Sequence, residues 1–346
     1  MSYRRRAFLN SLMGLAALPS VMRAGGMSMV LGEVTPGPEY LLPKGLRQGA
    51  TIGIVSPASG AIPSDIADFI NLCARWNMKV KYGENMSRRS GYLSAPDEAR
   101  ARELMTFVND PTIDAIVCAR GGYGVMRILP MLDFGAIREA QKVIMGFSDI
   151  TALLVAINQI GEMVTFHGPV ASSTFDDFTV NSLTSVVMHQ PSVPLLSFQD
   201  SQVTTLGSGT ATGRLTGGNL AMLVSTLGTR YEVDTTGAIL FLEEISEEPY
   251  RIDRMLTQMW LAGKLQHCKG IAIGAFRDCE TKGNGIPGPS MTLMQVLEER
   301  IGSLGIPAVY GLPFGHVRSK LTLPLGVMAE LDASKKSIRL IGRAVV

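Results

Sequence analysis

The sequence predicts an α/β protein in two units, the first a parallel sheet covered by helices on both faces and the second a further run of strands and helices. Three observations predict it. Short apolar runs alternate with longer segments whose apolar residues recur every three to four positions, the rhythm of a parallel sheet buried on both faces. Gly (37) and Pro (18) are plentiful, as many tight turns require. The rhythm lapses over 171–210, a Ser/Thr/Asp-rich stretch of weak periodicity, and then resumes. With 346 residues, 46% apolar and 18% charged, the chain has the length for two domains and the stock for a core. The expected division is a leader over 1–26, an N-terminal domain over 45–170, a linker over 171–210 and a C-terminal domain over 211–346.

Taken in order, "TIGIVSPAS" (51–59) is a short apolar strand. "SDIADFINLCARWN" (64–77) has helical spacing with Ser64 as its cap, and "MKVKYG" (78–83) reads as a strand. "SAPDEARARELMTFVND" (94–110) is a helix with Pro96 at its start and acids in its first turn. "DAIVCARGG" (114–122) and "KVIMGF" (142–147) are buried strands, "DITALLVAINQIG" (149–161) a helix, and "MVTFHGP" (163–169) closes the run. The linker carries one short helix. After it come a strand edge, glycine turn and helix over 212–229, a strand over 237–245, and a helix from Pro249 to 265. A strand over 269–276, a helix over 290–305 and a strand over 307–315 follow. Residues 321–342 read as terminal strands with a turn near Ser334, Lys335 and Lys336.

The formal charge is +2, but Arg4, Arg5, Arg6 and Arg23 lie in the first 26 residues, which hold no acid. Without them the balance is about −2. No basic stripe is interleaved with aromatics, so nucleic acid is not an expected partner. The apolar part of the leader, Leu12 to Met22 broken by Pro19, is too short for a membrane span, and no stable membrane anchor is expected. Arg5-Arg6-Ala7-Phe8-Leu9-Asn10 resembles a twin-arginine export signal, which implies a periplasmic location, or a cytoplasmic one if the signal is silent. Cys73, Cys118, Cys268 and Cys279 are scattered without zinc-ligand spacing. Cys118 reads as a strand residue, while Cys268 and Cys279 flank one strand and could meet.

Few groups can act as a catalytic base. Of four histidines, His189 falls in the linker and His267 at a helix end; both read as structural or solvated. His167 in "TFHGP" and His316 in "PFGHVRSK" each follow a strand, where α/β proteins build sites. Ser148 stands where a buried strand turns into a helix, a setting that suits a nucleophile with backbone N–H groups around it. A plain helix cap, with Asp149 taking a second N–H, is the plainer reading. "GFSDI" is not the G-x-S-x-G elbow. The glycine pair in "ARGGYG" (119–124) lets backbone approach a ligand, and the Gly122 N–H could serve an oxyanion. "LFLEEISEEPYRIDRML" places Glu243 on the face of Phe241 and Glu244 on the opposite one. One of these acids could orient a histidine; helix-dipole acids are the plainer reading.

Together "VCARGGYGVMRILPMLDF", "VIMGFSDITALL", "TFHGPV", "GRLTGGNLAML", "ILFLEEISEEPYRIDRMLTQMWLAGKL" and "GLPFGHVRSKLTLPLG" resemble the LD-carboxypeptidases, serine peptidases that include a microcin-immunity branch. The resemblance covers about residues 45–343. It implies an N-terminal parallel-sheet domain similar to class I amidotransferases and a C-terminal swivelling β/α domain, with the site between them. It implies a triad of Ser148, Glu243 and His316, and an oxyanion hole from the N–H groups of Gly122 and Asp149. It further implies a homodimer, no metal or cofactor, and a peptidoglycan tetrapeptide as substrate, cut before its terminal D-alanine. Glu244 departs from the aspartate common at that position. Two rival readings remain: a peptidase of this fold acting on peptide–nucleotide amides, and an exported wall-peptide-binding protein without turnover.

Overall fold

The computed structural model describes residues 40–188, 195–197, 203–281 and 290–346. The leader and His189 lie outside the described residues. In chain order the front half contains β1 (Thr51–Val55), α1 (Ala67–Arg75), β2 (Lys79–Tyr82), α2 (Asp97–Asn109), β3 (Ala115–Cys118), α3 (Val125–Ile128), α4 (Phe134–Ala140), β4 (Val143–Gly146), α5 (Thr151–Ile160) and β5 (Thr165–His167). The rest contains α6 (Asp177–Val187), β6 (Leu195–Ser197), β7 (Thr204–Gly207), β8 (Thr210–Asn219), α7 (Leu220–Ser225) and β9 (Ile239–Ile245). It continues through α8 (Pro249–Leu261), β10 (Gly270–Arg277), α9 (Leu293–Arg300), β11 (Ala308–Leu312), β12 (Leu323–Leu325), β13 (Met328–Asp332) and β14 (Ser337–Leu340).

Two sheets result. The first has the order β12-β5-β4-β3-β1-β2, parallel except for β12, which runs antiparallel to β5. The second has the order β6-β14-β13-β8-β9-β10-β11-β7. Its central four strands are parallel and its flanks antiparallel. Strands β3 and β4 are buried along their whole length, which is why they read as continuous apolar runs rather than alternating ones. Helix α5 is buried from Thr151 through Asn158 and touches β4 and β5 of the first sheet and β8 of the second. A helix apolar all round belongs in a core, and this one is wedged where the two sheets meet.

Several segments depart from expectation. Ser64 does not cap the first helix: Pro63 opens a 3₁₀ turn, and Asp65 Oδ2 accepts from the Ile62 N–H at 3.2 Å. Residues 123–141 carry α3 and α4, which no sequence signal marked because Pro130 and Gly135 break the pattern into short pieces. Asp133 caps α4, accepting from the Ala136 N–H at 3.0 Å. The 171–210 stretch holds α6 and also β6 and β7, the two outermost strands of the second sheet. An edge strand faces water on more sides than a central one, so Thr204 and Thr205 of β7 stand exposed without apolar alternation. Gly217 and Gly218 lie within β8 instead of in a turn. Strand β12 leaves the C-terminal segment to close the first sheet beside β5, with Leu323 opposite His167.

Candidate active site

Strand β4 delivers the chain to Ser148. Phe147 is fully extended, and Ser148 then turns into the left-handed region at φ 64° before a 3₁₀ turn leads into α5. A side-chain-bearing residue held there is strained by about 1–3 kcal/mol, a strain that clusters at functional turns. The backbone thus makes a sharp strand-to-helix turn of the elbow kind even though the glycine spacing of the usual motif is absent. Ser148 packs against the glycine loop: a Cβ placed on Gly121 would lie 3.0 Å from Ser148 Cβ and 3.1 Å from its Oγ. Ser148 makes no capping bond among the described residues, and Asp149 does not share its helix end. The Asp149 carboxylate is buried and accepts from the Val125 N–H of α3 at 2.9 Å. Burial pushes its pKa up, opposed by that N–H and by Arg100. It therefore ties the elbow to the loop that carries Gly122.

Gly122 has φ 124°, and a Cβ there would lie 2.2 Å from Ser59 Oγ. Ser59 is itself fixed, its hydroxyl donating to the Tyr92 carbonyl at 2.8 Å and its N–H to the Gly121 carbonyl at 3.3 Å. The amide N–H groups of Gly122 and Asp149 donate to no protein acceptor among the described residues.

The second sheet supplies an acid and an imidazole. Glu243, at the end of β9 opposite Asn219, is wholly buried, and its Oε2 lies 2.7 Å from His316 Nδ1. His316 follows β11 and is 16% exposed in its side chain. Its ring meets Phe147 edge-on, centroids 4.9 Å apart, so the residue before Ser148 also orients the imidazole. Gly315, at φ 89°, lets the chain pass over the acid: a Cβ there would lie 2.4 Å from Glu243 Oε2. Glu244 points elsewhere. It accepts from Asn219 Nδ2 at 3.0 Å, the Ala221 N–H at 2.8 Å and the Ile245 N–H at 2.9 Å, fastening the start of α7 to β9.

Ser148, His316, Gly121, Gly122 and Phe147 line one cavity of about 620 Å³. Ser148 and His316 face the same space but share no hydrogen bond in this structure. Apo sites often show such loose geometry and tighten around substrate. The remaining wall includes Arg120, Arg277, Arg318 and Lys320, and no Asp or Glu lines it among the described residues. These cations were not marked in the sequence; the short spacing of His316, Arg318 and Lys320 was the available signal.

His167 stands apart from the cavity wall. It is 1% exposed, ringed by Phe147, Phe241 and Phe314, and neither ring nitrogen has a partner among the described residues. Burial drives its pKa down to about 4, so it is a neutral core imidazole at neutral pH. His267 lies in the turn after α8, its carbonyl accepting from the Gly237 N–H at 2.8 Å. All four cysteines are free and buried; Cys268 donates to the Lys264 carbonyl and Cys279 to that of Arg277, so the two do not meet. Among the described residues no three potential ligands gather as a metal site, and no helix is long and apolar enough to cross a membrane.

Comparison with known proteins agrees with this architecture. Residues 52–168 match the family model of the LD-carboxypeptidase N-terminal domain, and residues 212–331 that of the C-terminal domain. The chain is 38% identical over 298 residues to a protein of Bacillus subtilis (strain 168) named probable murein peptide carboxypeptidase, covering 85% of this chain and 92% of that one. A crystal structure of muramoyltetrapeptide carboxypeptidase from Oxalobacter formigenes superposes with TM-score 0.73 at 31% identity, covering 86% of this chain and all of that one. A structure of MccF in complex with glutamyl sulfamoyl guanosine gives TM-score 0.79 at 25% identity, covering 88% of this chain and all of that one.

Proposed function

The chain belongs to the LD-carboxypeptidase family and is a carboxypeptidase; from that premise we propose that it works through a Ser148–His316–Glu243 triad on peptidoglycan tetrapeptides, releasing the terminal D-alanine. The observation that carries this reading is the 2.7 Å contact between Glu243 Oε2 and His316 Nδ1, on a cavity shared with a serine held at φ 64°.

The carboxylate accepts from Nδ1–H and leaves Nε2 as the base. His316 takes the Ser148 proton as Oγ attacks the carbonyl of the third residue. The N–H groups of Gly122 and Asp149 receive the tetrahedral oxyanion; losing one such donor costs about 2.7–4 kcal/mol in barrier. When the C–N bond breaks, His316 returns the proton to the departing amine of D-alanine. A water molecule, deprotonated in turn by His316, then releases the acyl group from Ser148. The cations on the cavity wall suit a substrate rich in carboxylates. An adjoining cavity that shares Arg120 and Gly122 adds Arg88, Arg89 and Tyr92, with room for the peptide on the acyl side.

The test is mass spectrometry of a tetrapeptide muropeptide digest. The wild type releases D-alanine, and Ser148→Ala slows release by about 10³-fold or more. D-Alanine release by the variant at the wild-type rate would sink the nucleophile assignment. The likeness to MccF favours one second reading, hydrolysis of a peptide–nucleotide amide at the same site, which parallel trials with such a conjugate separate. A fluorophosphonate probe that leaves Ser148 unlabelled would instead support a binding protein without turnover. The Arg5-Arg6-Ala7-Phe8-Leu9 segment supports export to the periplasm, checked by fractionating cells that express the full chain. A homodimer is proposed on the family resemblance and is checked by light scattering.

A further inference from the structure

Lys320 follows His316 by four residues and lines the same cavity. It is 5% exposed, and its ammonium lies 5.4 Å from the centroid of the Phe147 ring. It makes no ion pair and its Nζ makes no hydrogen bond among the described residues. The acids that reach it through space are Asp176 and Glu243, and both are committed elsewhere. Asp176 accepts from the Ser319 hydroxyl and from the Thr179 N–H at 2.9 Å, and it also feels Arg318; Glu243 holds His316. His167 also faces Lys320 through space but is neutral. Burial pushes the Lys320 pKa down to about 8, against the pull of those two acids.

A buried ammonium without an anion is costly, and truncation to an apolar side chain would relieve it. Its persistence on a cavity wall marks a place where an anion is meant to sit. The other cations of the wall, Arg120, Arg277 and Arg318, are exposed, and Arg277 already pairs with Asp278 at 3.4 Å. Lys320 is thus the desolvated cation, where an added charge is felt most strongly.

We infer that Lys320 receives the free α-carboxylate of the residue being released, and so makes the enzyme specific for a chain end. The inference rests on the proposed carboxypeptidase reaction at Ser148. In the leaving residue the carboxylate carbon is two bonds from the scissile nitrogen. Its oxygens therefore lie within about 5 Å of the attacked carbonyl carbon, and a cation bonded to them stands within about 8 Å of it. Lys320 lines the cavity that Ser148 and His316 share, and its ammonium lies over the ring of Phe147, the residue directly before Ser148.

The test uses full-length Ser148→Ala protein, calorimetry, and two tetrapeptides with lysine in third place, one ending in D-alanine and one in D-alaninamide. The free acid is expected to bind about 10-fold or more tightly than the amide at pH 7. Adding Lys320→Met is expected to shrink that ratio to below about 3-fold, while Lys320→Arg keeps most of it. Without any further substitution, the acid preference is expected to fade as pH rises through about 8, where the ammonium loses its proton. The inference is overturned if Lys320→Met retains the acid preference, if the Ser148→Ala protein never shows one, or if the preference is flat through that pH range. D-Alanine release by the wild type is measured in parallel. No release together with Lys320-dependent acid binding sinks the reaction and keeps the subsite; release with a Lys320-independent preference does the reverse.

Discussion

Gly315 leaves no room for a side chain beside Glu243. A methyl group at position 315 would collide with the carboxylate that holds His316, and a shift of about 1 Å in a catalytic group commonly costs about 10²-fold in rate. Gly315→Ala should therefore lower kcat/KM for D-alanine release by about 10²-fold with the fold intact by circular dichroism; unchanged kinetics would refute the triad geometry. His167 makes a separate prediction. Its folded pKa of about 4 lies below the ordinary 6.5, so on acidification the unfolded chain takes up the proton first. Its contribution is complete above pH 6.5 and is lost as pH falls from 6.5 toward 4, amounting to about 3 kcal/mol over the window. His167→Phe should flatten that part of the stability curve. Urea midpoints measured at pH 7 and pH 4.5 check this, and an equally steep loss in the variant would show that the imidazole is not the cause.

Among the elements, α2 does more than cover the first sheet. Its Arg100, wholly buried, gathers three loops of the first sheet. Nε donates to the Ala95 carbonyl at 3.0 Å, and one terminal nitrogen donates to the carbonyls of Pro57 and of Gly124, the latter at 2.9 Å. The other meets Asp97 at 2.5 Å. Arg100→Met would leave these acceptors unpaired and should cost about 3–5 kcal/mol, read as a fall in the urea midpoint; a change under about 1 kcal/mol would mean the network is replaceable. The same element shows what the sequence made legible. Proline at the start, acids in the first turn and apolar spacing marked α2 plainly, but nothing local marked Arg100 as buried. Ser148, Glu243 and His316 were legible as strand-end residues because apolar runs announce strand ends. The left-handed turn at Ser148 was not, since a serine there violates the local preference and the loop of Gly121 that packs against it lies distant in the chain. The edge strands β6 and β7 and the role of Lys320 were hidden for a shared reason: each depends on partners distant in the chain.

At the scale of the whole molecule, the segment 313–322 spans the two sheets. It leaves β11 of the second sheet, carries Gly315, His316 and Lys320, and enters β12 of the first. Helix α5 joins the sheets a second time, its Thr151 Oγ1 accepting from the Asn219 N–H of β8 at 3.0 Å. With two such ties the sheets should melt together: calorimetry is expected to give one transition, and two resolved peaks would contradict the coupling. The strand exchange at β12 also reaches beyond stability. A gene cut between the halves would yield a front piece whose β5 lacks its outer neighbour, an open edge that invites self-association. Neither half is a spare part: supplied alone, the piece with the hydroxyl would be a clumping hazard, and the piece with the base would have nothing to act upon.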